Sequence, residues 1–168
     1  KVARQAYYGM CSFMDSNVGK VLGKLKDLGL YQDTMKIYAS DHGECLGNRG
    51  LWGKMTMYQD ASSIPMIIAG PEINSNEICE TPTTLLDIYP TIFDCLNINL
   101  NTEKSNLPGK SLIEISKNDY DNRRWVLSEY HGAGSAGGAY MLREGDYKYI
   151  YYVEHECELY NIKNDAYL

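Results

Sequence analysis

Hydrophobic positions fall into two rhythms along this chain. From residue 1 to about 28, Tyr7, Cys11, Met14, Val18, Val21, Leu22, Leu25 and Leu28 recur at three- and four-residue steps, the spacing of one helix face. Gly29 is the expected stop. Gly9, Gly19 and Gly23 weaken helix propensity and are expected to admit close packing against another element. Met35 to Ser40 is a short apolar strand that ends abruptly in Asp41-His42-Gly43-Glu44. Glu44 to Asp60 carries Gly47, Gly50 and Gly53 with little period, and reads as a long irregular loop. Ser63 to Gly70 predicts a second strand, with Pro65 near its start, where no ladder bond is lost. Thr81-Pro82 signals a helix start. Leu85, Leu86, Tyr89, Ile92, Phe93 and Leu96 mark its apolar stripe, interrupted at Pro90. Helix, strand, loop, strand and helix in this order predict a largely parallel α/β sheet.

After Asn97 the rhythm changes. Asn97 to Gly109 is polar, with four Asn and Pro108-Gly109, and reads as a surface connection. Then come Trp125–Tyr130, Ala139–Arg143, Tyr147–Val153 and Glu158–Ile162, short aromatic runs separated by Gly or acidic turns. That is the grammar of an antiparallel sheet. Glu144-Gly145-Asp146 is the expected hairpin turn between two of them. Residues 1–100 are therefore expected to form an α/β body and residues 101–168 a small antiparallel β subdomain.

Composition narrows the function. With 44% hydrophobic and 23% charged residues the 168-residue chain is of globular type. A net charge of −6 argues against a nucleic-acid partner, which calls for a basic surface. An anionic substrate would instead need locally focused positive charge from a metal or a few cations. No apolar run approaches the ~18 residues of a membrane span, so no membrane partner is expected. Five scattered cysteines without C-x-x-C spacing suggest neither a disulfide framework nor a zinc ribbon. The chain begins with Lys1 inside a predicted helix, so it reads as a fragment; compartment and oligomeric state, a homo-oligomer included, stay open.

Three places could carry chemistry. Asp41-His42 closes a strand, the end of an open α/β sheet where ligands bind. A carboxylate and a neutral imidazole both offer lone pairs to a metal. The competing reading is a capping Asp with a hydrogen-bonded His. Lys54, between Trp52-Gly53 and Met55-Thr56, is either an ordinary solvated lysine or one partly buried by its neighbours. If buried it needs a negative partner: an anionic ester oxygen, or Glu44 or Asp60 as the structural choice. Glu129 and His131 end a strand before the glycine-rich loop 132–138, which lacks the lysine of a phosphate-binding loop. His155 sits in an exposed turn. No Ser or Cys occupies a G-x-S-x-G or similar nucleophile setting.

Taken together, Ser40-Asp-His-Gly-Glu44, Trp52-Gly-Lys54, Ile64-Pro-Met-Ile67, Leu86-Asp-Ile-Tyr-Pro-Thr91, Gly109-Lys-Ser-Leu112, Ser128-Glu-Tyr-His131 and Gly145-Asp-Tyr-Lys-Tyr149 resemble the type I sulfatases of the alkaline phosphatase superfamily. The likeness is closest to the branch of choline-sulfatase-like enzymes and phosphonate monoester hydrolases. It implies an α/β fold: the C-terminal part of an alkaline-phosphatase-like mixed sheet flanked by helices, plus a small antiparallel sheet. It also implies that Asp41 and His42 complete a divalent metal site and that Lys54 contacts the sulfate or phosphoryl oxygens. Glu129 and His131 would then lie near the alcohol side of the substrate. Calcium is the metal the family suggests; Asp-His where calcium sites often have Asp-Asn leaves manganese or zinc open. The family's nucleophile is a formylglycine made from Cys in C-x-P/A-x-R. Cys11 is followed by Asp15 where that motif needs Arg, so the nucleophile is expected on a missing N-terminal part. The implied substrate is a small sulfate ester or a sulfated glycan, and the fragment alone is expected to be inactive. Phosphonate monoester or phosphodiester hydrolysis on the same site is the nearest alternative, and a non-catalytic binding module is the most distant. A phosphoglycerate-mutase-like enzyme would share the Asp-His-Gly turn, but Gly109-Lys-Ser-Leu112 and Tyr147-Lys-Tyr149 speak against it.

Overall fold

A computed structural model describes residues 1–98, 108–118, 120–132, 134 and 137–165. The boundary expected near residue 100, and most of the polar connection around it, lie outside the described residues.

Helix α1 spans Val2–Asp27. Its end is fixed by Gly29, at φ 71°. The Gly29 and Leu30 amides donate back to the carbonyls of Lys26 and Leu25, which satisfies two end carbonyls in the Schellman manner. Val18, Leu22 and Leu25 of the predicted stripe are half-buried, whereas Tyr7, Met14, Val21 and Leu28 remain exposed. The three helix glycines do not mediate close packing: a methyl group at Gly9, Gly19 or Gly23 would meet no atom within 4 Å.

Strands β1 (Lys36–Ala39) and β2 (Met66–Ala69) pair with each other antiparallel, Ile37 opposite Ile68, rather than parallel as the element order suggested. The reason lies in the connection between them. A parallel pair needs a long crossover, usually a helix that packs across the sheet. Residues 40–65 supply a single 3-10 turn, Asn48–Gly50, and the one-turn helix α2, Gln59–Ser62. The loop therefore folds back over one end of the pair, and the second strand returns beside the first.

The second helix begins later than Thr81-Pro82 predicted. Thr84 and Asp87 form a capping box around the 3-10 turn Leu85–Asp87, and α3 follows as Ile88–Cys95. Pro90 falls in the first turn of α3, where the missing amide removes no helix bond, so it neither kinks nor breaks the helix. Thr81 instead accepts the Asp121 amide on its hydroxyl at 3.0 Å. Helix α4, Leu112–Lys117, is capped by Ser111 and buries Leu112, Ile113 and Ile115. Two motifs noted separately in the sequence meet here. Asp87, fully buried, accepts the Lys110 amide at 2.8 Å and the Arg124 guanidinium at 2.6 Å. Thr91 donates to the Asp87 carbonyl and accepts the Leu112 amide.

Strands β3 (Trp125–Tyr130), β4 (Ala139–Glu144), β5 (Tyr147–Tyr152) and β6 (Glu158–Asn161) form one antiparallel sheet in that order. The hairpin turn is the expected one, with Gly145 at φ 52° between β4 and β5. The inner face carries Ala139, Met141 and Ile150, and Met57 from the long loop packs into the same core. That one methionine makes the loop part of the sheet's interior. Tyr58 adds a second link, donating its hydroxyl to Glu158 at 3.1 Å, and Tyr152 donates to the other carboxylate oxygen.

Candidate active site

The turn after β1, the long loop and β3 surround a cleft of about 450 Å³. Asp41, His42, Lys54, Thr56, Ser62 and Glu129 contribute its polar lining. A second cleft of about 510 Å³, between β2 and α4, contains none of these six residues.

The turn gathers its side chains by local bonding. Ser40 Oγ donates to the His42 carbonyl at 2.8 Å, and the His42 amide donates to Asp41 Oδ1 at 3.0 Å. Adjacent side chains that would diverge on a strand are thereby brought together, with Asp41 Oδ2 3.5 Å from His42 Nε2. His42 Nδ1 lies 2.8 Å from the Gly43 carbonyl, which can only accept. Nδ1 therefore carries a proton, and in the neutral ring Nε2 presents a lone pair to the cleft. Lys54 Nζ stands 2.5 Å from that Nε2.

Gly43 is required by space and not by a left-handed turn. A Cβ there would lie 2.0 Å from the Asp60 carbonyl oxygen, and the Gly43 amide donates to the Ala61 carbonyl at 2.8 Å. The turn is thus pressed against α2.

Lys54 is not buried, contrary to one expectation from its neighbours. Trp52 and Met55 turn outward, 55% and 58% exposed, and leave the lysine open to the cleft. Neither acidic alternative pairs with it. Glu44 Oε1 accepts the Gly53 and Leu46 amides at 2.6 and 3.2 Å, fixing the loop beside Lys54. Asp60 accepts from the Asn48 side chain.

Electrostatics favour an ionised Asp41. Partial desolvation pushes its carboxyl up, but His42, the local amides and Lys54 together hold it below the usual carboxylate range. A carboxylate, an imidazole lone pair and an ammonium within one small volume can bind a cation and an anionic oxygen side by side. Among the described residues no group of three or more His, Cys, Asp and Glu is placed to hold a metal ion. This turn offers two donors.

Glu129 lines the opposite wall with Ser128 and Tyr130. His131 does not line the cleft: it stands beside Glu129, 3.1 Å from its carboxylate, with its ring edge-on to Tyr140. The rim also includes Thr83 and Thr84, unexpected from the sequence, and Leu85, expected only as part of an apolar helix stripe. The Thr84-x-x-Asp87 spacing was a readable signal for them, because Asp87 accepts the Thr84 amide at 2.8 Å. Arg124 bonds the Pro82 carbonyl and Asp87 and so steadies the same segment.

The scaffold is mixed α/β with an appended antiparallel sheet, and its cleft brings a carboxylate–imidazole pair up against a lysine ammonium. The Sulfatase family model matches residues 2–98, and the chain belongs to the sulfatase family. Arylsulfatase K of Bos taurus is 39% identical over 160 residues, covering 90% of this chain and 29% of that protein. Of solved structures, BT4656 in complex with its substrate D-glucosamine-2-N,6-O-disulfate superposes with a TM-score of 0.74 at 27% identity, over 90% of this chain and 32% of that one. The phosphonate monoester hydrolase SpPMH from Silicibacter pomeroyi superposes with a TM-score of 0.75 at 28% identity, over 90% and 33%. The chain therefore spans about a third of the length of the relatives it matches. Among the described residues no helix is long and apolar enough to cross a membrane. All five cysteines are free thiols.

Proposed function

We propose that this chain is the C-terminal part of a sulfatase that hydrolyses sulfate esters, and that Asp41, His42 and Lys54 are its contribution to the reaction centre. The observation that carries the reading is the convergence of the three on one cleft, the Lys54 ammonium 2.5 Å from His42 Nε2. Ionised Asp41 and the Nε2 lone pair suit a divalent cation, calcium in the family's habit, with manganese or zinc as alternatives for a site containing imidazole. When bound, such an ion would neutralise negative charge on the transferring group. Further ligands and the formylglycine nucleophile would come from the part of the enzyme that these 168 residues do not include, so the isolated chain is inactive in this reading.

Lys54 is the residue that meets the substrate's anionic oxygens. Its backbone lies in a loop pinned by Glu44 and by buried Met57, which holds that segment beside the cleft. Glu129, on β3 across the cleft, faces the alcohol side of the ester, and His131 orients Glu129. A sulfated sugar is the substrate class favoured by the disulfated glucosamine bound in BT4656. The likeness to SpPMH keeps a second reading in view, hydrolysis of phosphonate monoesters on the same site. Purified full-length gene product assayed against aryl sulfate and aryl phosphonate esters separates them. Faster turnover of the sulfate supports the proposal, preferential turnover of the phosphonate favours the second reading, and cleavage of neither overturns both.

A further inference from the structure

Lys148, on β5, is buried in a way the sulfatase reading does not use. It is 1% exposed, and its ammonium donates to Gln59 Oε1 at 3.0 Å and to Ser62 Oγ at 2.8 Å. Among the described residues no carboxylate is one of its hydrogen-bond partners. A buried charge held without a counterion costs stability. Its two acceptors are the first and last residues of α2, a helix of four residues. One helical turn does not stand by itself and takes its position from tertiary anchors. Between the two acceptors lies Ala61, whose carbonyl accepts the Gly43 amide, and Asp60, whose carbonyl fits against Gly43 so closely that no Cβ could intervene. Gly43 in turn holds His42 through Nδ1.

We infer that Lys148 is a positioning residue for the Asp41–His42 pair, acting from the antiparallel sheet through Gln59 and Ser62, the Ala61 carbonyl and Gly43. The path is continuous: an ammonium on β5 clamps both ends of α2, α2 sets the height of Gly43, and Gly43 sets the imidazole. Burial pushes the Lys148 ammonium down to about 8, helped by Arg143 on β4 and Arg49 on the 3-10 turn, so the clamp is maintained against an electrostatic cost. The importance of this path for catalysis rests on the sulfatase reading; the path itself does not.

The test uses full-length gene product carrying Lys148→Met, Lys148→Gln or Gln59→Glu, the last keeping an acceptor for the ammonium. Two readouts separate positioning from simple support of the fold. Hydrogen exchange at the Gly43 amide should quicken at least about tenfold in Lys148→Met while the β1 and β3 amides keep their protection. Turnover of an aryl sulfate should fall roughly tenfold to a hundredfold in kcat with KM nearly unchanged, the size of effect seen when a partner behind a ligand is lost. Lys148→Gln should fall in between, and Gln59→Glu should match wild type on both counts. Should Lys148→Met fail to fold, Ser62→Ala removes one of the two clamps and should also quicken Gly43 exchange. Unchanged Gly43 exchange in folded Lys148→Met, or in Ser62→Ala if the former does not fold, overturns the inference. If wild-type protein cleaves no sulfate ester, the functional proposal fails, while the exchange result still decides whether the clamp exists.

Discussion

Lys54 and His42, twelve positions apart in sequence, meet at 2.5 Å between Nζ and Nε2. Among the described residues this is the lysine's one side-chain partner, and in the proposed function the same nitrogen would face a bound cation. Lys54→Ala in the full-length enzyme should lower kcat/KM for an aryl sulfate by about 10²-fold or more, the usual consequence of deleting a group aimed at developing charge. Lys54→Arg should recover little, because a planar fork does not replace a compact ammonium in a cleft of about 450 Å³. Steady-state kinetics on both variants checks this.

Gly43 tolerates no side chain where it stands. Gly43→Ala places a methyl group 2.0 Å from the Asp60 carbonyl oxygen, so either α2 or the turn must move. The expected loss is at least about 2 kcal/mol, typical of forcing atoms into a packed site. Chemical denaturation gives the stability, and metal titration by calorimetry should show weakened binding in whatever fraction folds.

Asp87 and Arg124 form a buried ion pair, 0% and 13% exposed at their side chains. Removing one partner leaves the other charge stranded, and Arg124→Met should cost about 3–5 kcal/mol. Because Asp87 also holds the Thr84 amide, the same variant should loosen the 83–85 rim of the cleft. Urea unfolding with exchange measurements at Thr84 tests both parts.

Lys148 gives stability a pH signature. Its folded-state value, about 8, lies below the ordinary 10.5, so the cost of burying its charge is present below pH 8. Between pH 8 and 10.5 the folded protein has released a proton that the unfolded chain still holds, and stability rises. The full change is about 3 kcal/mol. Tyr160, raised to about 12 by desolvation and by Glu158, and Tyr152, raised for the same reasons, act oppositely: stability falls above pH 10 as the unfolded tyrosines ionise. Buried Cys45, also raised, opposes the rise from about pH 9. Subtracting the Lys148→Met profile isolates the lysine, and wild type should gain on the variant steadily from pH 8 to 10.5. A flat difference would refute the assignment.

Glu129→Gln should alter the ranking of sulfate esters that differ in their alcohol while leaving metal affinity near wild type. His131→Ala, acting through Glu129, should change it in the same direction but less. Competition assays on paired substrates, with metal titration alongside, decide the point.

Much of this was legible in the residues because local chemistry and final environment agreed. The four β3–β6 runs are short, rich in aromatics and separated by Gly or acidic turns, and the strands lie within one or two residues of where those runs fall. Asp41, His42 and Lys54 could be named because a strand end, a glycine turn and a loop lysine form a recognisable order. What could not be read was set by contacts across long separations. The antiparallel pairing of β1 with β2 depends on what the intervening loop lacks. Lys148 looks like an ordinary charged strand residue until Gln59 and Ser62, 89 and 86 positions away, are seen to receive it. The exposure of most of α1's apolar face was not readable, because periodicity records which face is apolar and not what covers it.

Tyr58 reaches Glu158 across 100 positions of chain, and the loop bearing Lys54 is rooted by Met57 in a sheet that is built last. Ribosomal synthesis therefore delivers the whole 40–65 loop well before its foundation exists. Contacts of such span form late, after the entropy of closing the intervening chain has been overcome. During that interval the lysine and the imidazole lack the sheet that roots their loop.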